Sequence, residues 1–76
     1  MVSIIILSYN TCDITLKCLS HLTKSKNVDL EIIVIDNAST DGSVPAIAKK
    51  FPQVKLVANK DNIGFAAGNN QGMELA

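Results

Sequence analysis

Between residues 33 and 43 an apolar run stops at a carboxylate and becomes polar at once: Ile33-Val34-Ile35-Asp36-Asn37-Ala38-Ser39-Thr40-Asp41-Gly42-Ser43. A simple turn needs far fewer hydrogen-bonding side chains than this stretch carries. A carboxylate at Asp36 can accept two hydrogen bonds, from a ribose diol or from the ring N–H of a pyrimidine or guanine base. It can equally accept from backbone N–H groups of its own loop. Two other segments have the same character. Ser8-Tyr9-Asn10-Thr11 holds the only tyrosine, whose flat face suits a base. Asn59-Lys60-Asp61-Asn62-Ile63-Gly64 leads into Asn69 and Asn70, and Gly64 at a helix start permits close backbone approach with free N–H groups for a phosphate.

Those clusters need elements to hold them, and the apolar pattern supplies an order. Val2 to Leu7, Leu30 to Ile35 and Val54 to Ala58 are short β-branched runs with little alternation, as in strands buried on both faces. Leu16, Leu19 and Leu22 recur at a helical period after Thr11 or Asp13, either of which can cap the start. Val44, Ile47, Ala48 and Phe51 fall at i, i+3, i+4 and i+7, with Pro45 in the first turn, Lys49 and Lys50 at the end and Pro52 as the stop. Thr40, Asp41 and Ser43 all suit the cap of this second helix, so part of the polar density has a purely structural use. A third helix is expected from Phe65, where Gly68 and Gly72 share a face and let it pack close to a sheet.

Strands alternating with helices predict an α/β fold: an open three-stranded parallel sheet, order 3-2-1, with right-handed crossovers and helices on both faces. In such a sheet ligands bind beyond the carboxyl ends of the strands, where all three polar loops lie.

Composition limits the function. The chain has 76 residues, 47% hydrophobic and 18% charged, and a formal net charge of +0, so no long-range field draws it to nucleic acid or an anionic membrane. Cys12 and Cys18 form no CxxC and have no ligand-rich surroundings, as expected of reduced thiols in a cytoplasmic protein. His21 has no partner nearby in sequence and is expected on the surface. The apolar start lacks a basic segment and is too short for a signal sequence or a membrane span. The last residues, Gln71 to Ala76, still read as helix, which leads us to expect a piece of a longer protein, truncated at the C-terminus.

Neither GxGxxG nor GxxxxGK[ST] occurs, which removes the phosphate devices of dinucleotide-binding Rossmann and P-loop proteins. The three polar segments, with the Val2-to-Asn10 run, instead resemble the N-terminal part of the family 2 inverting nucleotide-sugar glycosyltransferases, which have the GT-A (Rossmann-like) fold. The third segment is similar in form to rhamnosyl- and galactofuranosyltransferase-like members.

The resemblance implies a UDP-, dTDP- or GDP-linked sugar donor whose nucleotide is held by Ser8, Tyr9, Asn10, Asp36, Asn37, Ser39, Asp41, Asn62, Gly64, Asn69 and Asn70. Many members carry arginine where this chain has Asn69. No Asp-x-Asp triplet occurs, so a divalent metal (Mg or Mn) is expected only through a region not present, as is the catalytic base. The 76 residues alone are therefore expected to be inactive. Residues 1–76 would be a partial nucleotide-sugar-binding domain of an enzyme of polysaccharide biosynthesis at the cytoplasmic face of a membrane. The competing expectation is a small α/β interaction module that associates through the uncovered edge of its first strand.

Overall fold

The computed structural model describes residues 2–24 and 30–76, in the order β1 (Val2–Ser8), α1 (Cys12–Thr23), β2 (Leu30–Asn37), α2 (Ser43–Lys50), β3 (Lys55–Asn59) and α3 (Phe65–Leu75). The strands form one parallel sheet in the order β1-β2-β3, with Ile6 opposite Val34 and Val34 opposite Leu56.

Strand alternation divides the side chains between two faces. Ile6, Ile32, Val34 and Leu56 point to the face covered by α1 and α2, where Leu19, Val34, Ile47 and Val54 form the core with Leu16 and Phe51 against it. Ile5, Leu7 and Ile35 point to the other face, against α3. The expected strand order and two-sided covering are both present.

Only β2 is apolar and buried on both sides, with Ile33, Val34 and Ile35 fully excluded from solvent. The similar runs in β1 and β3 are half-buried over most of their length, because a three-stranded sheet has a single central strand. Along α2 and its C-terminal cap the inward row is Ser43, Ile47 and Phe51, with Ala48 exposed, so the buried stripe is one residue narrower than the apolar spacing suggests.

α3 comes very close to the sheet. A Cβ at Gly68 would sit 2.6 Å from Leu7 Cδ2, and one at Gly72 would sit 2.5 Å from Ile5 Cγ2. Small residues on the shared helical face are what permit this approach, as their spacing suggested. His21 is exposed, as expected, and Cys12 and Cys18 are free thiols. No helix among the described residues is long and apolar enough to cross a membrane.

Candidate functional site

At the carboxyl edge of the sheet, on the side of α3, a cleft of about 180 Å³ is lined by Leu7, Ser8, Tyr9, Asn37, Asn62, Gly64 and Phe65. It collects residues from all three strand-end segments. Tyr9 is 51% exposed and Phe65 74%, so two of the three aromatic side chains stand largely exposed at this cleft. Asn62 Oδ1 accepts from Gly64 N–H at 2.9 Å, turning the chain into α3. Gly64 has φ 85° and ψ 173°, a conformation essentially confined to glycine. Its carbonyl accepts the first helical bond, from Gly68 N–H at 3.1 Å, so the amides of residues 65–67 precede the helical ladder.

Asn37 forms the floor. It is 5% exposed, its Oδ1 accepts from Asn59 Nδ2 at 2.9 Å, and its Nδ2 donates to the Gly64 carbonyl at 3.4 Å. Asn59 is paired in turn with Gln71 of α3 through two bonds of 3.0 Å. Neither Asn59 nor Gln71 stood out as a site residue in the sequence. The signal was available, because Asn59 ends β3 just as Asn37 ends β2, in direct register.

Behind the cleft, on the opposite sheet face, lies a second polar group. Asp36 is 1% exposed, and its carboxylate accepts from Ser39 N–H at 2.9 Å and Ser39 Oγ at 2.7 Å. Asn10, with φ 51°, donates its backbone N–H to Ser39 Oγ at 2.8 Å, and its Oδ1 accepts from Thr40 N–H at 2.8 Å. Asp41 accepts from Cys12 N–H at 3.0 Å and Ser43 N–H at 3.1 Å, and also from the Ser43 hydroxyl. The Ser43 hydroxyl and the Cys12 amide hold the Asp41 carboxyl below its ordinary range. Ser8 Oγ meets Thr15 Oγ1 at 3.1 Å, so its hydroxyl is taken up on the α1 side.

The eleven residues suggested by the sequence are thus divided. Ser8, Tyr9, Asn37, Asn62 and Gly64 line the cleft; Asn10, Asp36, Ser39 and Asp41 stitch the first two loops together; Asn69 and Asn70 lie along α3 outside both groups. Asp36 and Asn37, read in sequence as neighbours in one pocket, face opposite sides of the sheet because consecutive strand residues must. The caps also differ from the local reading. Thr11 occupies the cap position of α1 without bonding a helix amide through its side chain, and the Cys12 amide is met by Asp41, 29 residues away. Gly42 occupies the cap position of α2.

Among the described residues no three His, Cys, Asp or Glu side chains converge to hold a metal ion.

The sequence model of Glycosyl transferase family 2 matches residues 3–76. A glycosyltransferase of Escherichia coli (strain K12), itself uncharacterized, is 36% identical over 77 residues, covering 97% of this chain and 22% of that protein. The chondroitin synthase of Pasteurella multocida (strain Pm70) is 30% identical over 79 residues, covering 100% of this chain and 8% of the synthase. Among solved structures, a mannosyltransferase from Pyrobaculum calidifontis in complex with GDP-Man and Mn2+ superposes with a TM-score of 0.83 at 27% identity, over 97% of this chain and 24% of that one. The chain spans 26% or less of the length of these relatives.

Proposed function

This chain belongs to glycosyl transferase family 2, and on that premise we propose that it forms the nucleotide-binding part of an enzyme using a nucleoside-diphosphate sugar as donor. In the overall reaction an acceptor hydroxyl oxygen bonds to the anomeric carbon, the bond from that carbon to the diphosphate oxygen breaks, and the hydroxyl proton passes to a base. The observation that carries the proposal is the cleft at the carboxyl edge of the sheet, where Tyr9 presents an open ring beside the amides of Asn37 and Asn62. The mannosyltransferase neighbour, solved with GDP-Man, supports a nucleotide-sugar ligand.

In this reading the base lies against Tyr9, and Asn37 and Asn62 bond to base or ribose. Asp36 acts behind them by fixing the loop that ends in Ser39. We assign the proton transfer to neither Asp36 nor Asp41, because the first is buried against Ser39 and the second holds two helix starts. No step of the proposal runs through a metal, and among the described residues no three His, Cys, Asp or Glu side chains converge to hold one.

Calorimetric titration of the intact enzyme with UDP, dTDP and GDP tests this. Replacing Tyr9 by Ala is expected to raise the Kd of the preferred nucleotide about tenfold, since stacking one base on an aromatic ring contributes roughly 1–3 kcal/mol. An unchanged Kd would remove Tyr9 from the site.

A second reading has one observation in its favour. Among the described residues β1 pairs only with β2, and Val2 on it is 52% exposed, which offers an edge to another strand. Sedimentation showing a dimer indifferent to nucleotide would favour an interaction module.

A further inference from the structure

Three side-chain amides form a chain from the sheet to α3. Asn59 Nδ2 donates to Asn37 Oδ1 at 2.9 Å and to Gln71 Oε1 at 3.0 Å, while Gln71 Nε2 donates back to Asn59 Oδ1 at 3.0 Å. At the other end Asn37 Nδ2 donates to the Gly64 carbonyl at 3.4 Å. Both hydrogens and the oxygen of Asn59 are engaged.

An amide can be turned end for end with almost no change of shape, so its neighbours decide which atom points where. The fixed point here is the Gly64 carbonyl, which can only accept. It requires N–H from Asn37. Asn37 then offers its oxygen to Asn59, Asn59 answers with N–H, and the reciprocal pair with Gln71 locks that orientation. Turning over any one of the three would set oxygen against oxygen or N–H against N–H. The Gly64 carbonyl takes one of the two hydrogens on Asn37 Nδ2, leaving the second on a residue that lines the cleft.

We infer that Asn59 and Gln71 are positioning residues: they hold the Asn37 amide so that the cleft presents a hydrogen-bond donor, and not an acceptor, to an oxygen of the bound nucleotide. That oxygen is a base carbonyl or a ribose hydroxyl, the oxygens carried by the part of the ligand that lies against Tyr9 in this reading. The inference rests on the nucleotide-binding reading above. Asn59 itself does not line the cleft and acts through Asn37.

The experiment is calorimetric titration of the intact enzyme with UDP, dTDP and GDP, with a thermal melt of each variant to confirm folding. Asn59→Ala frees the Asn37 amide, and a Kd about threefold higher for the preferred nucleotide is expected. Asn59→Asp places an acceptor opposite Asn37 Oδ1 and turns its amide over, so a larger loss of about tenfold is expected. A residue with only a structural role would lower the melting temperature of both variants and leave the Kd of the folded protein alone, which would overturn the inference. Should Asn59→Asp fail to fold, Gln71→Met carries the same test without a buried charge. It removes the lock on Asn59, and a severalfold weaker Kd is expected, a wild-type Kd overturning the inference. Wild-type enzyme that binds none of the three nucleotides would overturn the site reading itself, and this inference with it. Wild-type binding that Tyr9→Ala weakens, with Asn59 variants binding normally, would overturn this inference alone.

Discussion

Asp41 accepts from the first amide of α1, at Cys12, and from the first amide of α2, at Ser43. Initial helix amides have no partner within their own helix, and a carboxylate also complements the positive end of the helix dipole, so one side chain serves two helix starts. These bonds favour the charged form, and the carboxyl pKa in the folded protein lies below its ordinary value. The consequence has a definite sign. A group whose folded pKa is depressed stabilises the fold above its unfolded pKa, and that stabilisation is lost as pH falls through the folded value. Asp41→Asn should therefore lower the melting temperature near neutral pH, and the gap to wild type should close as pH falls through the ordinary carboxylate range and then through the depressed folded value. A gap that stays constant over that range would show that charge on Asp41 is irrelevant. The sequence marked Asp41 as a cap for the helix just after it. Its bond to Cys12 was not legible there, because nothing local links positions 29 apart.

The approach of α3 to the sheet depends on what its two buried glycines leave out. A methyl at Gly68 would press on Leu7 Cδ2, the far end of a side chain that can turn aside. A methyl at Gly72 would meet three atoms of Ile5, at 2.5, 3.2 and 3.3 Å, including Cγ2, which is fixed to a β-branched carbon with little rotamer freedom. Overpacking of this kind costs about 1–3 kcal/mol, and the methyl of alanine also raises helix propensity by up to about 1 kcal/mol over glycine. Gly72→Ala is expected to destabilise the protein at the upper end of the overpacking range, and Gly68→Ala by less than about 1 kcal/mol net. Urea unfolding of both variants checks this, and equal losses would mean that the helix shifts as a body. Because α3 carries Phe65 and starts at Gly64, such a shift would also move one wall of the cleft.

Across the whole molecule, order should be greatest in β2. Its Ile33, Val34 and Ile35 are fully buried, it has a strand on either side, and helices cover both faces. β1 is half-buried through its centre and pairs, among the described residues, on one side only. Amide hydrogen exchange should accordingly be slowest in residues 33–35, with alternate amides of β1 exchanging orders of magnitude faster, since an unpaired edge amide needs no unfolding to meet water. Uniform protection of β1 in solution would show its edge covered, and only cover by a second chain, seen as a dimer in sedimentation, would favour the interaction reading.

The apolar runs, their helical and strand periods and the turn residues between them determined the α/β order, the parallel sheet, and the edge at which the polar loops meet. These features follow from rules that act along the chain: period 2 or 3.6, caps, and the short reach of a crossover. The family came from elsewhere: from the resemblance of three segments to a known family, which the sequence model over residues 3–76 bears out. Only the tertiary structure decided how the polar residues divide. Alternation along β2 requires Asp36 and Asn37 to face opposite ways, but the packing of the helices decided that Asp36 faces α1 and α2 and Asn37 faces α3, register brought Asn59 beside Asn37, and the close approach at Gly68 and Gly72 carried Gln71 to Asn59. Hydrogen bonds reach about 3 Å, so which groups meet depends on the packing of elements far apart in sequence, and no local pattern contains that information.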